Sequence, residues 1–221
     1  MSQRTQTRPP GEPRPPRKRL TAEARREAIL DAALEVFAAR GYHGSSIDEI
    51  ATAAGVSKAL IYEHFPSKRD LHASLLERHV QEIFERLAEA AATDDPGEIR
   101  LRGGVNAFLE FVETRRDAFR MLFRDAVEPE VAEIIASVQR QAAAAVAGLI
   151  ATEPRAHPEA DPERDRIAVE MVGQQLTGAV QSLALWWGDH PEIPREVLVD
   201  SVMNFAWVGL ERLRAGERFG D

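Results

Sequence analysis

Residues 46–68, SIDEIATAAGVSKALIYEHFPSK, constrain this chain more than any other stretch. Ser46 is placed to cap a helix. Glu49, three residues on, completes a capping box, in which each side chain takes the other residue's backbone N–H. Ile47, Ile50, Ala51 and Ala54 recur at helical spacing and define one buried face. Gly55 permits a turn, Val56 plugs the small core, and Ser57 caps a second short helix over residues 58 to about 64. Pro66 takes the chain out of helix near Phe65, because a residue before proline avoids the α region. Two short helices around a tight glycine turn, the second basic at its leading end, are the layout of a helix-turn-helix.

The flanking sequence reads as helix throughout. Thr21 caps a first helix, with Glu23 in its first turn. Its apolar positions Ala28, Ile29, Ala32, Ala33, Val36 and Phe37 continue to a glycine stop at Gly41. Ser67 and Asp70 start a long fourth helix running to about residue 92. TDDPG at 93–97 breaks it. Further helices follow at about 98–114, 118–126, 129–151, 163–188 and 195–214. No segment keeps the period-2 alternation of a half-buried strand. The expectation is an all-α chain of about nine helices. Three form an N-terminal, homeodomain-like helix-turn-helix domain at 20–66, and the rest a helical body at 67–221. Residues 1–19 hold five prolines, six Lys/Arg and almost nothing apolar, a composition that predicts a disordered basic arm. The stretch at 152–162, with three prolines, predicts a polar loop.

Net charge is −8, an unpromising sum for a partner of DNA, but its distribution is uneven. Residues 1–70 carry 12 Lys+Arg against 9 Asp+Glu. The remainder carries 16 against 27. The basic end therefore coincides with the helix-turn-helix, ahead of an acidic second domain. The chain has no cysteine, which excludes disulfides and thiolate chemistry and fits a reducing cytoplasm. The longest apolar run, residues 142–151, is about half of the ~20 residues a membrane span needs. A Gly-rich phosphate loop, G-x-S-x-G, H-E-x-x-H and E-x-x-H are all missing, so the sequence offers no catalytic residue, cofactor or metal site.

Residues 41–71, GYHGSSIDEIATAAGVSKALIYEHFPSKRDL, together with Phe37, closely resemble the N-terminal domain of TetR-family transcriptional repressors. The resemblance rests on Gly41-Tyr42, Ile50-Ala51, Ala54-Gly55-Val56, Ser57-Lys58, Tyr62-x-His64-Phe65 and Lys68. Beyond residue 71 only length and helical layout match. The resemblance implies a homodimer on a pseudo-palindromic double-stranded operator, an effector-binding second domain, a fourth helix that moves on effector binding, and a bacterial cytoplasmic location. It also implies that Tyr62, His64 and Lys68 form a phosphate-binding trio.

Physical chemistry adds the other contacts. Ser57, Lys58, Ala59 and Leu60 lead the third helix into the groove. Lys58 reaches a guanine edge or a phosphate, while Ala59 and Leu60 offer a thymine methyl only apolar contact. Ser46, at a helix N-terminus, is a further phosphate donor. Glu63 stands among these groups and either repels DNA or accepts from a cytosine. With so few base-reading groups, part of the specificity must come from DNA shape and half-site spacing.

For the second domain, the inward apolar positions expected around a pocket are Phe84, Leu87, Phe108, Phe111, Val112, Met121, Phe123, Val138 and Met171. Gln174, Thr177 and Gln181 are candidates for a polar head, or for satisfying one another across a dimer. These walls suit a small hydrophobic or amphipathic effector. The last two helices are apolar nearly all round and so need two partners each. Leu183, Trp186, Trp187, Leu198, Val202 and Phe205 are the expected dimer contacts. The rival readings are a ligand-independent activator or nucleoid-type DNA binder, and a helical small-molecule carrier whose helix-turn-helix is vestigial.

Overall fold

The structure is a computed structural model, and it describes residues 21–123, 129–151 and 162–214. The expected basic arm, and the loop at 152–161, lie outside the described residues. Nine helices are described: α1 (Ala22–Gly44), α2 (Ile47–Ala54), α3 (Lys58–His64), α4 (Lys68–Ala91), α5 (Gly97–Thr114), α6 (Arg116–Phe123), α7 (Pro129–Ala151), α8 (Pro162–Trp187) and α9 (Arg195–Arg214). There is no strand among the described residues, and no helix there is long and apolar enough to cross a membrane.

Local chemistry sets the helix starts. Thr21 Oγ1 accepts from the Ala24 N–H at 3.1 Å. Ser57 Oγ accepts from Leu60 N–H at 3.2 Å, and Ser67 Oγ from Asp70 N–H at 3.1 Å. Each satisfies a donor that the first helical turn leaves orphaned. Gly55 ends α2 at φ 65°, ψ 32°. The Val56 N–H reaches Ala51 O at 3.0 Å and the Gly55 N–H reaches Thr52 O at 3.2 Å, the paired bonds of a Schellman motif. A Cβ at Gly55 would meet nothing within 4 Å, so the left-handed backbone is what asks for glycine there.

Gly41 interrupts the first helix as expected: at φ 69° and ψ 170° its backbone leaves the helical region, and a short second helical piece runs on to Gly44. The kink turns Tyr42 over the start of α4, where its ring lies 4.8 Å from that of His72.

The helix-turn-helix core is Ile29, Leu30, Phe37, Ile50, Ile61 and Phe65, all closed from solvent. Leu71, Leu75 and Leu76 of α4 join the same apolar cluster, and further along α4 Ile83 is buried too. One uninterrupted helix of 24 residues, about 36 Å at 1.5 Å per residue, thus serves both ends of the molecule. Polar ties secure it: Arg78 reaches Glu27 at 3.1 Å and Asp31 at 2.8 Å on α1, and Arg115 reaches Glu82 at 3.2 Å. α7 and α8 pack closely enough that a Cβ on Gly173 would sit 2.5 Å from Ala143 O.

The last two helices divide differently from the sequence expectation. Trp187 is enclosed and donates from Nε1 to Ile193 O at 2.8 Å. Leu198 and Val202 are buried in the chain's own core, where α9 lies along α5 and Arg102 meets Asp200 at 2.7 Å. These three expected dimer contacts are thus packed within the chain itself. Leu183 is half-buried against the core. Trp186 and Phe205 remain outside, 47% and 76% exposed, accompanied by Val197 and Val208.

Candidate nucleic-acid interface and internal cavity

α3 turns Ile61 into the core and its opposite face to solvent. Ser57, Lys58, Ala59, Tyr62 and Glu63 are exposed, while Leu60 and His64 are half-buried. Five of the residues expected to meet DNA thus share one outward surface or its margin: Lys58, Ala59, Leu60, Tyr62 and His64. Glu63 stands on that surface and has no ion-pair partner among the described residues. Lys58 is engaged: its Nζ lies 2.8 Å from Asp48 Oδ2 on α2. The hydrogen bond to Asp48, and then that carboxylate's charge, hold the Lys58 pKa above its ordinary value.

Two other expected DNA contacts are placed in the scaffold. Lys68 Nζ donates to Tyr42 O at 2.7 Å and to Ser45 O at 3.0 Å, and sits 4.3 Å from the Tyr42 ring centre. Two of its ammonium's three donors pin the kinked end of α1 to the start of α4. Ser46 is occupied by its capping box. Its N–H donates to Glu49 Oε2 at 2.9 Å and its hydroxyl to the same oxygen at 3.0 Å. Arg40 in turn holds Glu49 Oε1 at 2.6 Å. Asp48 is the residue that sequence reasoning passed over, because the pair spans ten positions and no local pattern announces it.

Between α4, α5, α7 and α8 lies a cavity of about 270 Å³, partly open to solvent. Phe84 and Leu87 of α4, Phe108 of α5 and Val138 of α7 line it, as expected, with Val105, Val146 and Leu149. Other expected wall residues are elsewhere. Phe111 and Val112 are buried about a turn further along α5, beyond the residues that line the cavity; the Phe111 ring lies 6.3 Å from that of His79. Met121 is buried on α6, which packs against α1 rather than the cavity. Met171 and Gln174 line a separate outer cleft between α7 and α8. The Phe123 side chain lies outside the described ones. Thr177 and Gln181 do reach the cavity, with Arg100 and Gln139, and Gln139 donates to Gln181 at 2.7 Å.

Two histidines on α4 are buried and held neutral. Burial, and then the charge of Lys68, lower the His72 pKa to about 4. Burial likewise lowers that of His79, whose ring nitrogens both lack a hydrogen-bond partner among the described residues. Glu82 Oε2 lies 3.5 Å from its Nδ1, and that carboxylate opposes the shift without reversing it.

Comparisons with known proteins agree with this geometry. A family model described as bacterial regulatory proteins, tetR family, matches residues 29–75. A second, described as tetracyclin repressor-like, C-terminal domain, matches residues 97–209. The chain is 36% identical over 197 residues to the HTH-type transcriptional activator FasR of Mycolicibacterium smegmatis, covering 88% of this chain and 87% of that one. It is 31% identical over 119 residues to the HTH-type transcriptional repressor SCO4008 of Streptomyces coelicolor, covering 54% of this chain and 58% of that one. Among solved structures, a TetR-like transcriptional regulator from Rhodococcus sp. RHA1 superposes with a TM-score of 0.73 at 28% identity. That match covers 87% of this chain and 99% of the other.

Proposed function

Because this chain belongs to the TetR family of bacterial DNA-binding transcriptional regulators, we propose that it binds a pseudo-palindromic operator as a homodimer and is released by a small apolar effector held in its internal cavity. The observation that carries this reading is the continuity of α4. Leu71 and Leu75 belong to the helix-turn-helix core, and Ile83, Phe84 and Leu87 of the same helix line the cavity. A ligand that prefers one position of α4 biases the orientation of α3, and the equilibrium moves by that differential affinity.

The exposed apolar residues of the last two helices, Trp186, Val197, Phe205 and Val208, are the proposed dimer surface, since large apolar side chains left in solvent there gain by covering one another. Two copies joined there present two α3 helices to major grooves roughly 34–36 Å apart, or at a multiple of the helical repeat. Lys58 reads or anchors at the leading end, Tyr62 and His64 meet phosphate, and Ala59 and Leu60 touch the groove floor. A protein working on chromosomal DNA in this way is cytoplasmic. Activation is the second reading of the regulatory sign, and it has specific support: FasR, a relative aligned over most of the chain, is named an activator.

Sedimentation of the purified chain, with Phe205→Glu and Trp186→Glu beside it, tests the assembly. A dimer converted to monomer by both variants, with operator affinity lost in parallel, supports the reading. A wild-type monomer that still binds an operator contradicts it.

A further inference from the structure

The cavity wall is apolar except at Arg100, Gln139, Thr177 and Gln181. The two glutamines serve one another. Arg100 Nε and Thr177 Oγ1 serve nothing: both are buried atoms without a hydrogen-bond partner among the described residues. Buried polar atoms in folded proteins are nearly always paired, and both of these orphans belong to residues that line the cavity. The Arg100 guanidinium can only donate, and the Thr177 hydroxyl can donate as well as accept, so a partner for both must offer an acceptor. Arg100 is permanently charged. No Asp or Glu among the described residues lines the cavity, so no described carboxylate neutralises the guanidinium there.

We infer that the effector is an apolar molecule carrying one anionic oxygen head, of the carboxylate class, with the head on Arg100 and the apolar body among Leu87, Val105, Phe108 and Val146. This rests on the reading of the cavity as the effector site and narrows it. A charge-assisted bond from a guanidinium to an anionic oxygen is stronger than any a neutral head makes. A cationic amphipath meets Arg100 as a like charge and finds no carboxylate to balance it. Arg100 is only half-buried, so the head need not lose all its hydration. A neutral alcohol satisfies the Thr177 hydroxyl but leaves the charge of Arg100 unanswered.

The test uses the full chain and three ten-carbon probes below their aggregation limits: decanoate, 1-decanol and decylammonium. Calorimetric titration should give decanoate a dissociation constant at least ~10-fold below that of decanol, about 1.4 kcal/mol, and no binding of decylammonium. Arg100→Gln should remove that advantage and leave decanol unchanged. Gly104→Leu supplies a second variant. Gly104 lines the cavity and a Cβ there meets nothing within 4 Å, so the new side chain enters the space without backbone conflict. It should abolish binding of every probe in a folded protein.

Equal affinities for decanoate and decanol, indifference to Arg100→Gln, preference for decylammonium, or no binding of any probe overturns the inference. Gel shifts with the same preparations separate the two claims. DNA binding without the decanoate preference leaves the regulator standing and removes the anionic effector. The decanoate preference in a protein that binds no DNA does the reverse.

Discussion

Lys58 Nζ lies 2.8 Å from Asp48 Oδ2, so the leading cation of the recognition helix is already paired with a carboxylate of the preceding helix. Both side chains are solvent-exposed, and the pair holds Lys58 in place without burying it. The consequence for DNA is twofold. Asp48 aims the ammonium and also cancels much of its attraction for any phosphate that comes near.

Asp48→Asn is therefore expected to raise affinity for random duplex DNA several-fold and to narrow the ratio of operator to random binding. One further phosphate contact steepens the dependence of log K on log salt by about 0.9. Fluorescence anisotropy over a salt series measures both. An unchanged salt slope with unchanged random-DNA affinity removes Asp48 from the account.

Lys68 should behave differently from the other members of the expected phosphate trio. Replacing it with Met leaves the Ser45 carbonyl without its donor and the Tyr42 carbonyl with only the Ser45 hydroxyl, at about 1–3 kcal/mol for a lost partner in a partly buried place. Thermal unfolding of Lys68→Met should show a lowered Tm, whereas Tyr62→Phe should keep the wild-type Tm and lose operator affinity. A Lys68→Met protein of undiminished Tm that fails only in DNA binding would mean that Lys68 is a phosphate contact after all.

Stability should fall on acidification. His72 and His79 have folded-state pKa values below the unfolded value of about 6.5, that of His72 at about 4. Below about pH 6.5 the unfolded chain takes up protons that the folded chain refuses, so unfolding is favoured as pH drops through the window from about 6.5 to 4. Urea midpoints measured across that window should decline, with the double variant His72→Gln, His79→Gln declining less steeply. The same slope in both proteins assigns the effect to other groups.

Gly173 fixes the separation of α7 and α8. Gly173→Ala drives a methyl to within 2.5 Å of the Ala143 carbonyl oxygen and should cost about 1–3 kcal/mol, the usual penalty of overpacking. Gly148→Ala on α7 is the control, because a Cβ there meets nothing within 4 Å. It should stabilise by up to ~1 kcal/mol through helix propensity. Equal Tm values for the two variants would show that the helices yield readily.

Much of the fold was legible because its signals are local. Thr21, Ser46, Ser57 and Ser67 are caps in the sequence and caps in the structure, and Gly55 turns the chain as its position demands. What failed were the long-range assignments. Helical spacing marks Phe108, Phe111 and Val112 as apolar, but only packing decides that the first faces a cavity and the others face core. Trp186 and Trp187 are neighbours about 100° apart around α8. The first is exposed and the second donates to a backbone carbonyl inside. No single-residue property separates them. The partners of Lys58 and Lys68 lie 10 and up to 26 positions away, beyond any pattern within one helix.

The most direct test of the central claim is genome-wide footprinting of the purified chain at low salt, beside the Lys58→Ala, Tyr62→Phe double variant. Discrete pseudo-palindromic sites protected by the wild type and lost in the double variant are the predicted result. No protected sites, or the same sites protected equally by both proteins, would contradict the assignment of α3 as the DNA-reading surface.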